Sequence, residues 1–223
     1  MADTIDDLVV QWKKNPSPGS TIALCEAYGM TSDPMLKTPA QKAIRFIESA
    51  QDPGGGGWRY SPRTPGDLSV TGWQVMALKS AQMAGLELAN KGEVLKKAEK
   101  FLDSVETTNG GRYAYLPGSG ETPVMTAVGM LCREYMGVNP RNPGLLKGVE
   151  YLEQPPSAPG KMNNVYYEYY ATQALHHMGG DAWDWWNEGP GGKNSHTGIR
   201  DSLIARQDSV APKAGAYPGA APP

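Results

Sequence analysis

The apolar residues of this chain recur with a helical period, and they do so in two kinds of segment. In the first kind they form one stripe. Ala40, Ala43, Ile44 and Ile47 fall at i, i+3, i+4 and i+7, as do Ala98, Phe101, Leu102 and Val105, with Lys96, Lys97 and Glu99 on the opposite side. Such helices bury one face and predict an outer layer. Segments of the second kind, Thr21 to Tyr28, Val70 to Ala84, Val124 to Met136 and Tyr166 to Met178, are apolar or aromatic nearly all round and predict inner, buried helices. Gly54 to Gly57, Gly110-Gly111, Pro117-Gly118 and Pro155 to Gly160 interrupt the helical pattern and predict corners.

The outer segments are copies of one another. Lys42-Ala43-Ile44-Arg45-Phe46-Ile47, Lys97-Ala98-Glu99-Lys100-Phe101-Leu102 and Lys147-Gly148-Val149-Glu150-Tyr151-Leu152 share the order basic, small, two variable residues, aromatic, aliphatic. Their lysines stand 55 and then 50 residues apart, and a fainter copy runs from Ile199 to Gln207. The expected fold is all-α: an array of about four helical hairpins plus a partial fifth, as an arc or an incompletely closed ring, which the resemblance given below makes α/α-toroid-like. Residues Ala2 to Lys14 would supply the first outer helix, ended by Asn15-Pro16. The array spans 1–208, and the Ala/Pro/Gly-rich stretch 209–223 is expected to be a tail or linker.

Composition sharpens this picture in three places. With 27 glycines and 19 prolines the helices must be separated by long turns. Eleven tyrosines and six tryptophans against two phenylalanines mean that most rings carry a polar handle. A formal net charge of −2 supplies no basic field for nucleic acid, and no apolar stretch is long enough to span a membrane. Asp3, Asp6 and Asp7 near the start, without a basic segment, argue against a secretory signal, so the expected location is cytoplasmic. Cys25 and Cys132 sit in apolar helical settings as buried, reduced thiols, and no Cys-x-x-Cys is present.

The first corner carries the most specific motif. Lys42-Ala43, Phe46-Ile47, Gln51 and Gly56-Gly57-Trp58 match the QW motif in full. In this the chain resembles the α/α-toroid superfamily of squalene and hopene cyclases and protein prenyltransferases. The second corner is degenerate, with Glu106 for the glutamine and Gly111-Arg112-Tyr113 for Gly-x-Trp, and the third keeps only its outer-helix residues. Gly-Gly-Gly-Trp-Arg-Tyr at 55–60, Ser-Val-Thr-Gly-Trp-Gln at 69–74 and the tyrosine run ending in His176-His177 look like bacterial prenyltransferase/squalene-oxidase repeat proteins. In the motif a glutamine ending the outer helix bonds free backbone groups while lying on the tryptophan ring, and glycines bring that ring back. Gln51 and Trp58 are therefore assigned a structural role. The resemblance implies a fold, and fold does not imply function.

It also supplies a chemical test. Class II terpene cyclases protonate an alkene with the middle aspartate of Asp-x-Asp-Asp-Thr, kept protonated by coupled carboxyls. Here the matching stretch is Asp67-Leu68-Ser69-Val70-Thr71, in which Ser69 and Val70 replace the second and third aspartates. Neither is an acid, and Asp67 reads as an N-cap. The zinc of protein prenyltransferases needs Asp, Cys and His ligands. This chain offers His176, His177 and His196, with Asp181 and Asp184 near the first pair, and consecutive helical residues diverge by about 100°. No metal or cofactor is expected.

Asp67, His176 and His177 remain the catalytic candidates. Trp73, Tyr166, Tyr167, Tyr169 and Tyr170 are the ligand-binding candidates, because in a toroid the inner-helix N-termini surround one mouth of the cavity. The leading expectation is a binding or scaffold module with an aromatic-lined concavity for an apolar, glycan or peptide ligand or a protein partner. A divergent isoprenoid-handling enzyme is the first alternative. A carbohydrate-binding or polysaccharide-lyase-like toroid is the second: converging carboxylates such as Asp67, Glu121 and Glu168 would favour it, and extended aromatic floors without carboxylates would favour simple glycan binding.

Overall fold

The computed structural model describes residues 17–107, 110–191 and 195–207. Among them are nine α-helices and no strand: α1 (Pro18–Thr31), α2 (Pro34–Ala50), α3 (Leu68–Met83), α4 (Glu93–Val105), α5 (Pro123–Tyr135), α6 (Pro143–Leu152), α7 (Val165–Met178), α8 (Gly180–Glu188) and α9 (Ile199–Arg206). A short 3-10 turn, Ala89–Gly92, leads into α4. The helix expected over 2–14 and the tail 209–223 fall outside the described residues. No described helix is long and apolar enough to cross a membrane.

The inner helices α1, α3, α5 and α7 begin in the same way. Ser17, Asp67, Thr122 and Asn164 each accept the backbone N–H three residues ahead, at 3.2, 2.9, 3.1 and 3.1 Å. This N-cap satisfies a donor that the first turn would otherwise leave free. Four residues after each cap stands a buried polar residue: Thr21, Thr71, Thr126 or Glu168. The hydroxyls of Thr71 and Thr126 accept the amides of Trp58 and Tyr113, at 3.0 and 3.1 Å. Each of these two inner helices is thereby bonded to the corner that precedes it.

Burial follows the two kinds of segment. In α2 the stripe Ala40, Ala43, Ile44 and Ile47 is buried, and in α4 Ala98, Phe101, Leu102 and Val105 are buried. The inner helix α5 is buried over nine consecutive residues, Met125 to Arg133. The inner helices pack in chain order, α1 on α3, α3 on α5 and α5 on α7, with α2, α4 and α6 packed against them. One continuous core runs from Leu24 to Ile199.

One element was not expected. Helix α8 follows α7 directly and packs on it, and α9 packs on α8. Its nine residues hold three tryptophans between glycines and carry no stripe long enough to show a helical period, so in sequence they read as an aromatic cluster. Burial of Trp186 makes it a helix: the ring is fully enclosed, stands edge-on to Tyr167, and donates from its indole to the Thr172 hydroxyl at 2.9 Å.

The corners tie the layers together. At the first, the Trp58 indole N–H donates to the Ile47 carbonyl at 2.8 Å, within the last turns of α2. The Gln51 amide donates to the carbonyls of Gly56 and of Val94 in α4, each at 2.8 Å. One glutamine thus joins its own corner to the next outer helix. Gly56 has φ +80°, and a Cβ there would collide with the Lys97 carbonyl, so only glycine fits.

The second corner holds the same place with different chemistry. Glu106 accepts the Gly111 N–H at 2.7 Å and pairs with Arg133 at 3.0 Å, and Arg133 also donates to the Tyr113 hydroxyl at 3.2 Å. An acid, a guanidinium and a phenol have replaced an amide and an indole.

Gln51→Leu leaves two buried carbonyls without donors, and Trp58→Phe removes a bond and part of a core ring. Each is expected to cost about 2 kcal/mol in urea unfolding. Exposed Lys37→Ala should fall within about 0.5 kcal/mol of the parent in the same measurement.

Candidate functional site

Although α3 and α7 are both packed on α5, they also meet each other across the inner face through a group of rings. Trp73 of α3 stacks on Tyr169 of α7, with centroids 5.7 Å apart and planes 19° apart. Tyr170 sits edge-on to Trp73 at 5.7 Å, and Tyr166 lies 4.8 Å from Tyr170. The Tyr166 hydroxyl reaches the Ser69 carbonyl at 3.5 Å. Gly72 makes room for this close approach, since a Cβ there would lie 3.4 Å from the Tyr170 hydroxyl and closer still to Val128. The ring group leaves a cavity on each side of it.

The first cavity, of about 570 Å³, opens at the N-terminal ends of α1, α3 and α7. Phe46, Trp58, Tyr60, Val70, Trp73 and Tyr166 form its apolar wall, and Arg59, Ser69 and Gln74 supply polar points. No carboxylate stands among its described lining residues. Asp67 lies behind the wall with no exposed surface, accepting from the Val70 amide and the Ser69 hydroxyl at 2.9 and 2.7 Å. Its second oxygen is 3.7 Å from Arg59 Nε. Burial, and then the Asp67 charge, push the neighbouring Tyr115 phenol up. An aspartate fixed in this way orients a helix and faces a cation.

The second cavity, of about 410 Å³, lies between the C-terminal halves of the inner helices and has a different character. Glu26 of α1, Lys79 and Ser80 of α3, Glu134 and Tyr135 of α5, and Tyr169, Gln173 and His177 of α7 all line it. The Glu134 side chain is only 4% exposed, and neither of its oxygens has a hydrogen-bond partner. Burial alone pushes its carboxyl up from 4.5 to about 9, so it is a neutral acid at pH 7. His177 Nδ1 stands 3.5 Å from it, and burial, His176 and Lys79 together hold that imidazole below its ordinary value.

Sequence reasoning did not single out Glu134. Its signal was an acid near the end of Val124 to Met136, a segment otherwise read as buried.

The other candidates are dispersed. Tyr167 is in the core, donating to the Ser157 carbonyl at 2.8 Å. His176 is exposed and edge-on to Trp183 at 4.8 Å. Glu121 pairs with Arg112 at 3.5 Å, and both oxygens of Glu168 accept from Arg206 at 2.7 Å. Asp67, Glu121 and Glu168 therefore answer to three different arginines and do not converge. No group of three or more His, Cys, Asp and Glu residues among the described ones is placed to hold a metal. Burial pushes both cysteine thiols up to about 12, which keeps them from acting as nucleophiles near neutral pH.

Compared with known protein families, curated proteins and solved structures, the chain finds no match.

The folded protein holds a proton on Glu134 up to about pH 9, which the unfolded chain releases near 4.5. Stability therefore falls as pH rises between those values, and the cost is absent below the unfolded value. Glu134→Gln should stabilise the protein at pH 9 by on the order of a few kcal/mol more than at pH 4.5, read from urea midpoints at the two pH values.

Proposed function

We propose that this protein is a non-catalytic binding module that takes an apolar ligand in the cleft at the N-terminal ends of α1, α3 and α7. The observation that carries this reading is the composition of the wall. Phe46, Tyr60, Trp73 and Tyr166 present ring surface to a space of about 570 Å³, while the one acid of the cyclase-like stretch, Asp67, is sealed behind them. A cavity of this size with apolar walls and a few polar points suits a small molecule or a short chain. Phe46 and Tyr60 are unusually exposed for large rings, at 43% and 85%, and each gains by being covered.

The reading takes the array as an incomplete α/α toroid with its ligand at the mouth surrounded by inner-helix N-termini. The QW corner, the repeated caps and the in-order packing of α1, α3, α5 and α7 support it. A glycan-cleaving site is disfavoured by the dispersal of Asp67, Glu121 and Glu168 onto separate arginines, and simple glycan binding is the reading that the sugar probe below tests.

Tryptophan fluorescence and calorimetry with farnesol, cellohexaose and an octaproline peptide would separate the ligand classes. Farnesol should saturate the protein, with the Trp73 emission responding. Tyr60→Ala, an exposed change that leaves the core intact, should weaken it by about tenfold, or about 1.4 kcal/mol. Binding of the sugar or the peptide in preference, or appearance of a farnesol-derived product on prolonged incubation, would overturn the reading.

A further inference from the structure

Among the described residues, Glu134 is the carboxyl with both oxygens buried and neither one hydrogen-bonded. Buried polar groups are nearly always hydrogen-bonded, so a carboxyl at a cavity wall that accepts no hydrogen bond, with His177 Nδ1 3.5 Å away, is the group there that a ligand's donors would complete. Most of the fixed polarity around it is negative, with Lys79 the exception among the described lining residues. The last turns of α3, α5 and α7 end at this cavity, and helix C-termini carry partial negative charge. Glu26 of α1 adds a second carboxylate, held at 3.3 Å by the Ser80 hydroxyl. Burial, His176 and Lys79 hold the His177 imidazole below its ordinary value, and Lys79 forms no ion pair with any described residue. Tyr135 and Tyr169 supply ring walls, with the Tyr135 hydroxyl already committed to Gln173 at 3.0 Å.

We propose that this cavity binds a small organic ammonium ion, seated between Tyr135 and Tyr169 with its charge against Glu134. An ammonium brings donors and no acceptor, which suits two empty carboxylate oxygens, and its charge is favoured over aromatic faces. An anion would meet the Glu26 carboxylate and three helix C-termini, with Lys79 alone in its favour. A volume of about 410 Å³ admits a group the size of a benzyl or short alkyl amine. Since Glu134 is protonated in the empty site, binding moves its proton to solvent as the ammonium takes its place. The ionisable groups that line the cavity from the four packed elements are Glu26 on α1, Lys79 on α3, Glu134 with Tyr135 on α5, and Tyr169 with His177 on α7. Arg133 is turned to Asp103, Glu106 and Tyr113 and does not compete.

This inference concerns the opposite end of the molecule from the apolar cleft and stands or falls apart from it. Isothermal titration with benzylamine tests it, using benzyl alcohol and benzoate as probes of the same shape with no charge and the opposite charge. Benzylamine should bind and the other two should not. Its affinity should rise about tenfold per pH unit from about pH 6 to about pH 8, as one proton leaves for each ligand bound. Glu134→Gln should abolish binding while the variant keeps the parent's helical circular dichroism, and Lys79→Met should retain it. The proposal is overturned if benzylamine fails to bind, if benzyl alcohol or benzoate binds as well, or if affinity ignores pH or Glu134→Gln. It is equally overturned if benzylamine binds only after Lys79→Met, because Lys79 would then be the carboxyl's own partner.

Discussion

The indole N–H of Trp58 is buried in a place where water does not reach, and it must find an acceptor inside the protein. It finds the Ile47 carbonyl, one of those that the end of α2 leaves free. Much of the architecture depends on that bond. It brings the corner back over the helix that it has just left, and Gln51 extends the tie to Val94 at the start of α4. The Trp58 amide in turn meets Thr71 in the first turn of α3. Three helices are thus registered by one corner. Where the indole is missing, at the second corner, Glu106, Arg133 and Tyr113 hold the same positions with charge-assisted bonds.

This registration sets what the inner face offers. Because the inner helices start alike and pack in order, their N-terminal ends share one side and their C-terminal ends the other. The Trp73, Tyr169, Tyr170 and Tyr166 rings fill the middle. On the N-terminal side the cap residues Asp67 and Asn164 turn to backbone amides, and what faces the space is largely ring and aliphatic surface with Arg59, Ser69 and Gln74 as polar points. On the C-terminal side the helices end in carbonyls, and the side chains there are acids, a lysine, a histidine and two tyrosines. One fold therefore presents an apolar cleft and a polar cavity whose electrostatics differ for a reason rooted in helix direction.

The helices were legible because the apolar stripe of α2 and α4 and the all-round burial of α5 are short-range patterns, and the structural role of Gln51 and Trp58 was legible because they stand in one corner seven residues apart. Asp67 as a cap was legible for the same reason. Helix α8 was not, because it is stabilised by burying Trp186 against Tyr167 and Thr172, a contact between segments that no local period announces. The tyrosine run illustrates the limit most clearly. Tyr166, Tyr167, Tyr169 and Tyr170 look equivalent in sequence, yet Tyr167 and Tyr170 are core, Tyr166 lines one cavity and Tyr169 the other. Glu134 escaped notice because its importance comes from what is absent around it, and partners are fixed by tertiary packing. The Glu106–Arg133 replacement at the second corner was hidden likewise, with its two members 27 residues apart.

The central claim is that the buried corner bond of Trp58 holds the hairpins in register, and its exchange with solvent reports on this directly. Hydrogen exchange of the Trp58 indole N–H, followed by NMR under native conditions, should proceed only through global unfolding. Its protection should then equal that of the slowest backbone amides in α3 and α5. An indole that exchanges orders of magnitude faster than those amides would show that the corner opens on its own, and would contradict the dependence of the inner layer upon it.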